Sequence, residues 1–313
     1  MGIALCNAKA NEQGKELIAH GTAAFPIACY MDDLDQMSIP WHWHEELEVV
    51  LVANGTLSVS TDGSAFSVRQ GDGLFLNKGV LHHMQKGEDA SCLLHSLVFH
   101  ARLAGGSIDS IFWQKYLEPL LSDTSFPFCI LSQESKWHKE ALLAAGEAWS
   151  SCSEEKPGFE FSVRCSLSRF LYLLFANRLS LKEKSPSQRA LREQERIKLM
   201  LQYIHEHSRE ELTVSQIAKS ALVSDSECLR CFKNIIGVPP IRYVKQYRLQ
   251  KAAELLLSSD EPISEIAVFC GFQEMSYFAR TFKEAYSVTP SAYRKTHRLS
   301  SSPPTPSSSK TSR

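Results

Sequence analysis

Ile266-Ala267-Val268-Phe269-Cys270-Gly271-Phe272-Gln273-Glu274-Met275-Ser276-Tyr277-Phe278-Ala279-Arg280-Thr281-Phe282-Lys283 decides how the C-terminal third folds, because its pattern occurs twice. The earlier copy opens on Ile217-Ala218 and continues to Arg230, Phe232 and Lys233, which match Arg280, Phe282 and Lys283. Each copy closes on Pro and Tyr, Pro240 and Tyr243 in one, Pro290 and Tyr293 in the other. The second copy carries one extra residue between its Ile-Ala pair and its Arg. Two short helical units are too few for a solenoid. They fit two helix-turn-helix units, each able to set one helix into a DNA groove.

Working outward, Ser224-Asp225-Ser226-Glu227 reads as a capping box that starts the second helix of the first unit. Thr213 to Gln216 offers caps for its first helix, and Ala221 to Val223 is the turn between them. In the second unit the helices read as Ile263 to Cys270 and Glu274 to Ala285, with the turn at Gly271-Phe272. Between the units, Ile241 to Leu257 reads as one continuous helix, with Tyr243, Tyr247, Leu249, Ala252, Ala253, Leu256 and Leu257 as its apolar positions. Its span is roughly 26 Å at 1.5 Å per residue. Two units at its ends would reach successive major-groove segments, about 34 Å apart. Arg196 to His207 reads as a packed helix ahead of the first unit.

Composition agrees with a fusion. The 313 residues allow two or three domains, and 43% apolar content is enough for sizeable cores. Net charge is only -1, but residues 196–298 hold 15 Lys+Arg against 11 Asp+Glu, while residues 1–195 hold 17 against 24. A basic part beside an acidic one is a weak mark of a DNA-binding module joined to something else. Met1 to Leu17 has no apolar stretch of signal-peptide length, and no run approaches a membrane span. Nine scattered cysteines read as reduced thiols, which places the chain in the cytoplasm with no membrane partner. Ser300 to Arg313 is almost all Ser, Pro, Thr and basic, so 299–313 reads as a disordered tail.

From Cys29 to Phe99 the chain reads as strands. Glu48 to Val52 is a short apolar run ended by the turn signal Asn54-Gly55; Thr56 to Ser60 alternates, and Asp62-Gly63 is another turn. Short strands with frequent turns favour a sandwich or barrel. Lys136 to Ser150 and Phe161 to Leu181 have helical spacing. In the latter, Phe161, Cys165, Leu167, Phe170, Leu171, Leu174 and Phe175 form a broad stripe that packs either on a partner helix or on the barrel. Lys182 to Gln194 reads as a polar linker.

The C-terminal region resembles the AraC/XylS family of transcription regulators. The resemblance rests on Ile266-Ala267 through Gly271-Phe272, Ser276-Tyr277-Phe278, Phe282-Lys283, Thr289-Pro290 and Tyr293-Arg294, with Arg248-Leu249, Ala252 and Leu255-Leu256 in the linking helix. It implies that Ser226, Leu229, Arg230, Met275, Ser276, Ala279 and Arg280 face bases. Arg is the best direct reader, through guanine O6 and N7. Lys233, Lys283 and Arg294 suit phosphates. Ser287 departs from the family's usual Gly, which the first copy keeps as Gly237; Cys228 and Cys231 replace larger apolar residues. Cys228-x-x-Cys231 has no second pair nearby and reads as packed thiols rather than a zinc site.

In the N-terminal part, His42-x-His44-x3-Glu48-x6-Gly55 followed by Gly71-x5-Asn77-x-Gly79-x2-His82 resembles the two motifs of the cupin β-barrel. Asn77 stands where the second motif has Pro, and the Gly expected before His42 is missing. His42 and His44 share one strand face, with Glu48 there too and His82 arriving from a later strand. Read as a ligand pocket, these four hold a small-molecule effector, a sugar or other metabolite. Read as metal ligands, they would hold a divalent ion. Trp41 and Trp43 should face the opposite side, as packing residues.

The chain therefore reads as an α+β multidomain protein with a cupin-like effector-sensing barrel (1–103) and a helical dimerisation segment (104–185). A linker (186–195) leads to an all-α domain (196–298) with helix-turn-helix units at about 213–234 and 263–285. The resemblance implies a non-enzymatic regulator, activator or repressor, with no resident cofactor. Its partners would be double-stranded DNA, a small effector, a second copy of itself and RNA polymerase. The alternatives are that the barrel is a metal sensor or metal-dependent enzyme, or that it only dimerises.

Overall fold

The computed structural model describes residues 20–35, 38–61, 64–89, 91–181 and 187–300. The start of the chain, the turn at Asp62-Gly63, Lys182 to Pro186 and the tail from 301 lie outside the described residues. Eight strands among those described form the N-terminal barrel: β1 (Ile27–Asp33), β2 (Ile39–His42), β3 (Leu47–Thr61), β4 (Ser64–Arg69), β5 (Gly73–Leu76), β6 (His82–Lys86), β7 (Cys92–Phe99) and β8 (Phe128–Leu131). All pairings are antiparallel. The first part of β3 pairs with β7 and β5, its second part with β4 and β6, so one long strand serves two walls. β1 pairs with β7, β2 with β6, and β8 with β5.

Asn54-Gly55 is not the hairpin turn that its sequence suggests. The register against β7 shifts between Val52 and Asn54, so Ala53 is the extra residue of a bulge within β3. Gly55 takes φ 74° there, and a Cβ on it would meet the Ser91 carbonyl. One inserted residue exchanges the faces of a strand. Ahead of the bulge Val50 and Val52 point into the barrel; beyond it Leu57 and Val59 do. Leu47 and Val49 face the other way, toward the helices.

The segment expected to be wholly helical contributes β8 as well. Its helices are α1 (Arg102–Gly105), α2 (Glu118–Leu121, preceded by a π-helical turn Trp113–Leu117), α3 (Lys136–Glu154) and α4 (Phe159–Asn177). Phe128–Leu131 is too short to betray itself by periodicity, and its place is fixed by pairing with β5. Val163, Leu167, Phe170, Leu171 and Leu174 of α4 are buried together with Phe75, Leu97 and Phe99 of the sheet. Each such side chain contributes about 1.5–3 kcal/mol by leaving water. Most of the α4 stripe is thus spent on its own barrel, whereas Phe161 stays 78% exposed and Cys165 is exposed too.

In the C-terminal part, α5 runs Gln188–Glu206 from an N-cap at Ser187, whose side chain accepts from the Ala190 amide. The stretch read as linker is therefore helical from Gln188 onward. The first helix-turn-helix unit is α6 (Val214–Ser220) and α7 (Asp225–Cys231, continued by a π-helical turn Phe232–Ile236). The linking helix is α8 (Pro240–Ser258), and the second unit is α9 (Ile263–Phe269) and α10 (Met275–Tyr286), followed by α11 (Pro290–Ser300). The full capping box forms at Thr213 and Gln216. At Ser224 only half of the expected box forms: the serine accepts from the Glu227 amide, but the Glu227 carboxylate turns to Arg196 and Arg230. Arginine neighbours outbid a lone backbone N–H for an ionised carboxylate.

Each unit has its own core on a different half of α8. The first packs Ile217, Cys228, Cys231 and Phe232 with Tyr243, Val244 and Tyr247; the second packs Ile266, Phe272, Phe278 and Phe282 with Leu249, Ala253 and Leu256. Cys228 and Cys231 are fully buried, and burial pushes the Cys228 thiol up to about 12. The first core also takes in Trp41, Trp43 and Leu81 of the barrel, beside Ile197, Met200, Leu201 and Ile204 of α5.

Candidate functional site

The side chains of His42, His44, Glu48 and His82 converge at one end of the barrel interior. All four are at least 95% buried, and their ligating atoms lie within 4.8 Å of one another. β2 supplies His42, β6 supplies His82 directly across from it, and Glu48 lies near the start of β3. Ring centroids stand 4.1 Å apart for His42 and His82 and 5.4 Å apart for His44 and His82.

Each histidine uses Nδ1 on a backbone carbonyl: His42 on Pro40 at 2.8 Å, His44 on Glu46 at 3.0 Å, His82 on Val80 at 2.9 Å. A carbonyl only accepts, so Nδ1 carries the hydrogen in all three rings. The Nε2 atoms therefore face the cluster. Those of His44 and His82 lie 3.2 and 3.1 Å from the same Glu48 oxygen. Burial alone would raise the Glu48 pKa; the hydrogen bonds and charge of His44 and His82 overcome it and hold the carboxyl well below its usual range. The chemistry on offer is a buried anion ringed by imidazole nitrogens.

Sequence reasoning missed three supports. His20 lies 5.6 Å from the His44 ring and pairs through Nδ1 with the Tyr30 hydroxyl at 2.8 Å, far from either motif in sequence. Asn77, the departure from Pro, is buried: its Nδ2 donates to the Leu120 and Phe126 carbonyls and its Oδ1 accepts from the Lys78 amide. Its own amide donates to Pro127 at 2.8 Å, a bond that proline could not make. The third support is the partner of the tryptophans. Alternation put Trp41 and Trp43 on the outer face, but not against α5. That contact is reinforced by Gln250, whose Nε2 donates to the Ser38 carbonyl at 2.8 Å, and by Lys198, which donates to the Gly79 carbonyl. His83, on the outer face of β6, stacks on Trp41, and burial pushes its pKa down to about 4.

The residues expected to face bases are distributed unevenly. Ser226, Leu229, Met275, Ser276 and Arg280 are exposed, and Ala279 is half-buried. The Arg280 guanidinium sits over the Tyr277 ring at 5.6 Å. Arg230 instead engages carboxylates, with Glu193 of α5 at 2.9 Å and Glu227 at 2.6 Å. Lys233 and Lys283 are exposed. Arg294 is half-buried, and its Nη2 donates to the Glu261 carbonyl at 2.7 Å, so part of that side chain holds α11 to the preceding loop. No helix among the described residues is long and apolar enough to cross a membrane.

Residues 217–296 match the family of a helix-turn-helix domain, and residues 25–134 that of an AraC-like ligand binding domain. The chain is 31% identical to the uncharacterized HTH-type transcriptional regulator YdeC of Bacillus subtilis (strain 168), over 90% of this chain and 96% of the relative. It is 26% identical to the HTH-type transcriptional activator RhaS of Klebsiella pneumoniae (strain 342), over 82% of this chain and 88% of that one. Among solved structures, unsaturated fatty acid bound ToxT from Vibrio cholerae aligns at 13% identity and a TM-score of 0.47, covering 86% of this chain and 94% of ToxT.

Proposed function

The chain belongs to the AraC family of transcription regulators, and from that premise we propose that a small ligand at the polar end of its barrel controls how α7 and α10 engage DNA. The observation that carries this reading is the single core shared by barrel and DNA-binding helices. Trp41 and Trp43 flank His42 at the end of β2 and lie in the same cluster as α5, on which the first reading unit packs. A ligand held by His42 and His44 therefore acts one residue away from the contact. α8, about 28 Å long at 1.5 Å per residue, sets the spacing of the two units.

We read Ser226, Leu229, Arg230, Met275, Ser276, Ala279 and Arg280 as facing bases, and Lys233, Lys283 and Arg294 as phosphate neighbours. Arg230 must leave Glu193 and Glu227 before it can read a base, so the first unit is the one restrained in this arrangement. Two copies of the chain would pair through the exposed outer strip of α4, with Phe161 and Tyr172 78% and 61% exposed, and its neighbour Phe112, 60% exposed. The protein would act on DNA in the cytoplasm, in contact with RNA polymerase where it activates. The test is selection of bound sequences from a random DNA library by the full chain, followed by footprinting. A two-part site with segments about one helical turn apart is expected. Equal affinity for selected and random DNA would sink the reading.

A further inference from the structure

We propose that the turn after α5, Ser208 to Glu210, sets the angle between the two helix-turn-helix units, with Arg209, Arg248 and Gly271 as positioning residues, so that the chain discriminates the spacing of its two DNA segments as well as their bases. The inference rests on the reading above that both units engage DNA, and it adds what fixes one unit relative to the other.

α8 joins the units but leaves their cores separate: the two clusters share no residue. A helix fixes the distance between two bodies at its ends. How far each body can rock about that helix depends on what else touches it. For the second unit, the neighbour is the turn after α5. Arg248 on α8 donates through Nε to the Ser208 carbonyl at 2.7 Å and through Nη2 to the Glu210 carbonyl. Hydrogen bonds from a charged donor are stronger than those between neutral groups. The Arg209 Cζ lies 3.7 Å from the centre of the Phe269 ring on α9. At that distance the planar guanidinium stacks on the ring and holds α9 from the side of the turn.

Gly271 marks this contact as a property of the second unit. The same two backbone bonds close the turn in each unit. The Leu222 and Val223 amides donate to the Lys219 and Ala218 carbonyls, and the Gly271 and Phe272 amides donate to those of Val268 and Ala267. Leu222 and Gly271 are therefore equivalent positions, and both are left-handed, at φ 55° and 83°. Leucine is tolerated at the first, where its side chain stands 94% exposed. Glycine at the second answers to closeness instead. A Cβ there would lie 2.7 Å from the Ser208 carbonyl oxygen and 3.1 Å from the Arg209 Cα. Backbone meets backbone, with no flexible side chain to yield.

α5 and its turn thereby mount both units. Glu193, in the early part of α5, holds Arg230 of the first unit. Near its end, His205 pairs through Nε2 with the Tyr243 hydroxyl at 2.9 Å and stacks on Tyr247, which fixes the helix on α8 just ahead of the turn. The barrel packs against the stretch between, from Ile197 to Ile204. A tilt of the second unit about α8 would carry α10 along its groove. Holding that tilt makes the separation of the two DNA segments part of what is recognised.

The experiment measures the affinity of the full chain for its selected site and for the same site with one base pair added or removed between the two segments. The wild type should lose at least tenfold on either change. Arg209→Ala and Phe269→Ala should each narrow that ratio at least threefold, and the double variant should narrow it no further than either alone, because both remove one contact. Gly271→Ala should abolish the preference for the original spacing, while Leu222→Ala, at the equivalent exposed position, should leave it unchanged. If Arg209 only touches phosphate, its loss lowers affinity for all three spacings by one factor and Phe269→Ala does nothing, which overturns the proposal. A wild type that keeps its base preference but binds all three spacings alike overturns it as well, and leaves the regulator reading standing. A full chain with no sequence preference at any spacing would overturn the reading that both units engage DNA, and this inference with it.

Discussion

Ser287→Gly should stabilise the second reading unit, and Gly237→Ser should weaken the first by a similar amount. Both residues end a helix in the left-handed region, with φ 63° for Ser287 and 81° for Gly237. A side chain in that region costs about 1–2 kcal/mol, because Cβ crowds the following carbonyl. Glycine removes this cost but adds freedom to the unfolded chain, worth about 0.4–1 kcal/mol. The net gain for Ser287→Gly is therefore about 0.5–1 kcal/mol. No heavy atom lies within 4 Å of a Cβ built at Gly237, so the reverse change there tests backbone conformation without a clash. Hydrogen exchange of the α10 and α11 amides in the full chain is the assay, because it reads local opening. Ser287→Gly should slow exchange there by about two- to fivefold, since 1.4 kcal/mol is about tenfold. Gly237→Ser should speed exchange in α7 and early α8. A Ser287→Gly variant that exchanges faster would show that the serine side chain contributes more than its backbone costs, and the strain argument would fail.

Arg280→Ala should lower affinity for the selected site by about ten- to a hundredfold and relax one base position, while Lys283→Ala should weaken all sequences and flatten the salt slope by about one; equal loss on random DNA would demote Arg280 to a phosphate contact. Glu193→Gln should raise affinity for the selected site by removing one of the two carboxylates that hold Arg230, and no change in a binding titration would mean that this ion pair does not restrain the first unit. Asn77→Ala leaves the Leu120 and Phe126 carbonyls without their donor and should cost about 1–3 kcal/mol in urea unfolding. His205 is buried, and burial, with Lys251 and His42 nearby, depresses its pKa from 6.5 to about 3. The unfolded chain therefore binds the extra proton first, so this contribution is complete above pH 6.5 and is lost as pH falls toward 3, at no more than about 1.4 kcal/mol per pH unit. His205→Gln should flatten that acid limb in a pH series of unfolding curves.

What the sequence discloses is governed by repetition and by local geometry. The two reading units were legible because the same residues recur with the same spacing, and their helices fall within a residue or two of the expected ends. The convergence of the His-x-His motif was legible because alternation is a local rule, and the four side chains do meet, although β2 ends at His42 and His44 lies just beyond it. β8 was not, since four residues carry no period and only pairing with β5 defines them. Asn54-Gly55 misled because the dipeptide reports a positive φ, which serves a bulge as well as a hairpin. The first two turns of α5 were hidden by their polarity: Gln188 to Glu195 is helical by virtue of the Ser187 cap and the Arg189–Glu193 pair rather than of an apolar stripe.

The contact between barrel and α5 needed the structure, and it changes what the motif means. Alternation alone assigns His42 and His44 inward and Trp41 and Trp43 outward, and leaves the tryptophans as packing. Once their neighbours are Ile197, Met200 and Leu201, the strand has a polar cluster on one side and the DNA-binding core on the other. Consecutive residues share peptide planes, so any backbone shift of His42 toward a ligand moves Trp41 and Trp43 as well. Close packing passes such a shift on rather than absorbing it. α5 receives it at Ile197 and Met200 and carries Glu193, which holds Arg230, on the same helix. Under the proposed reading, the path from an occupied barrel to a released Arg230 would cross one strand and one helix.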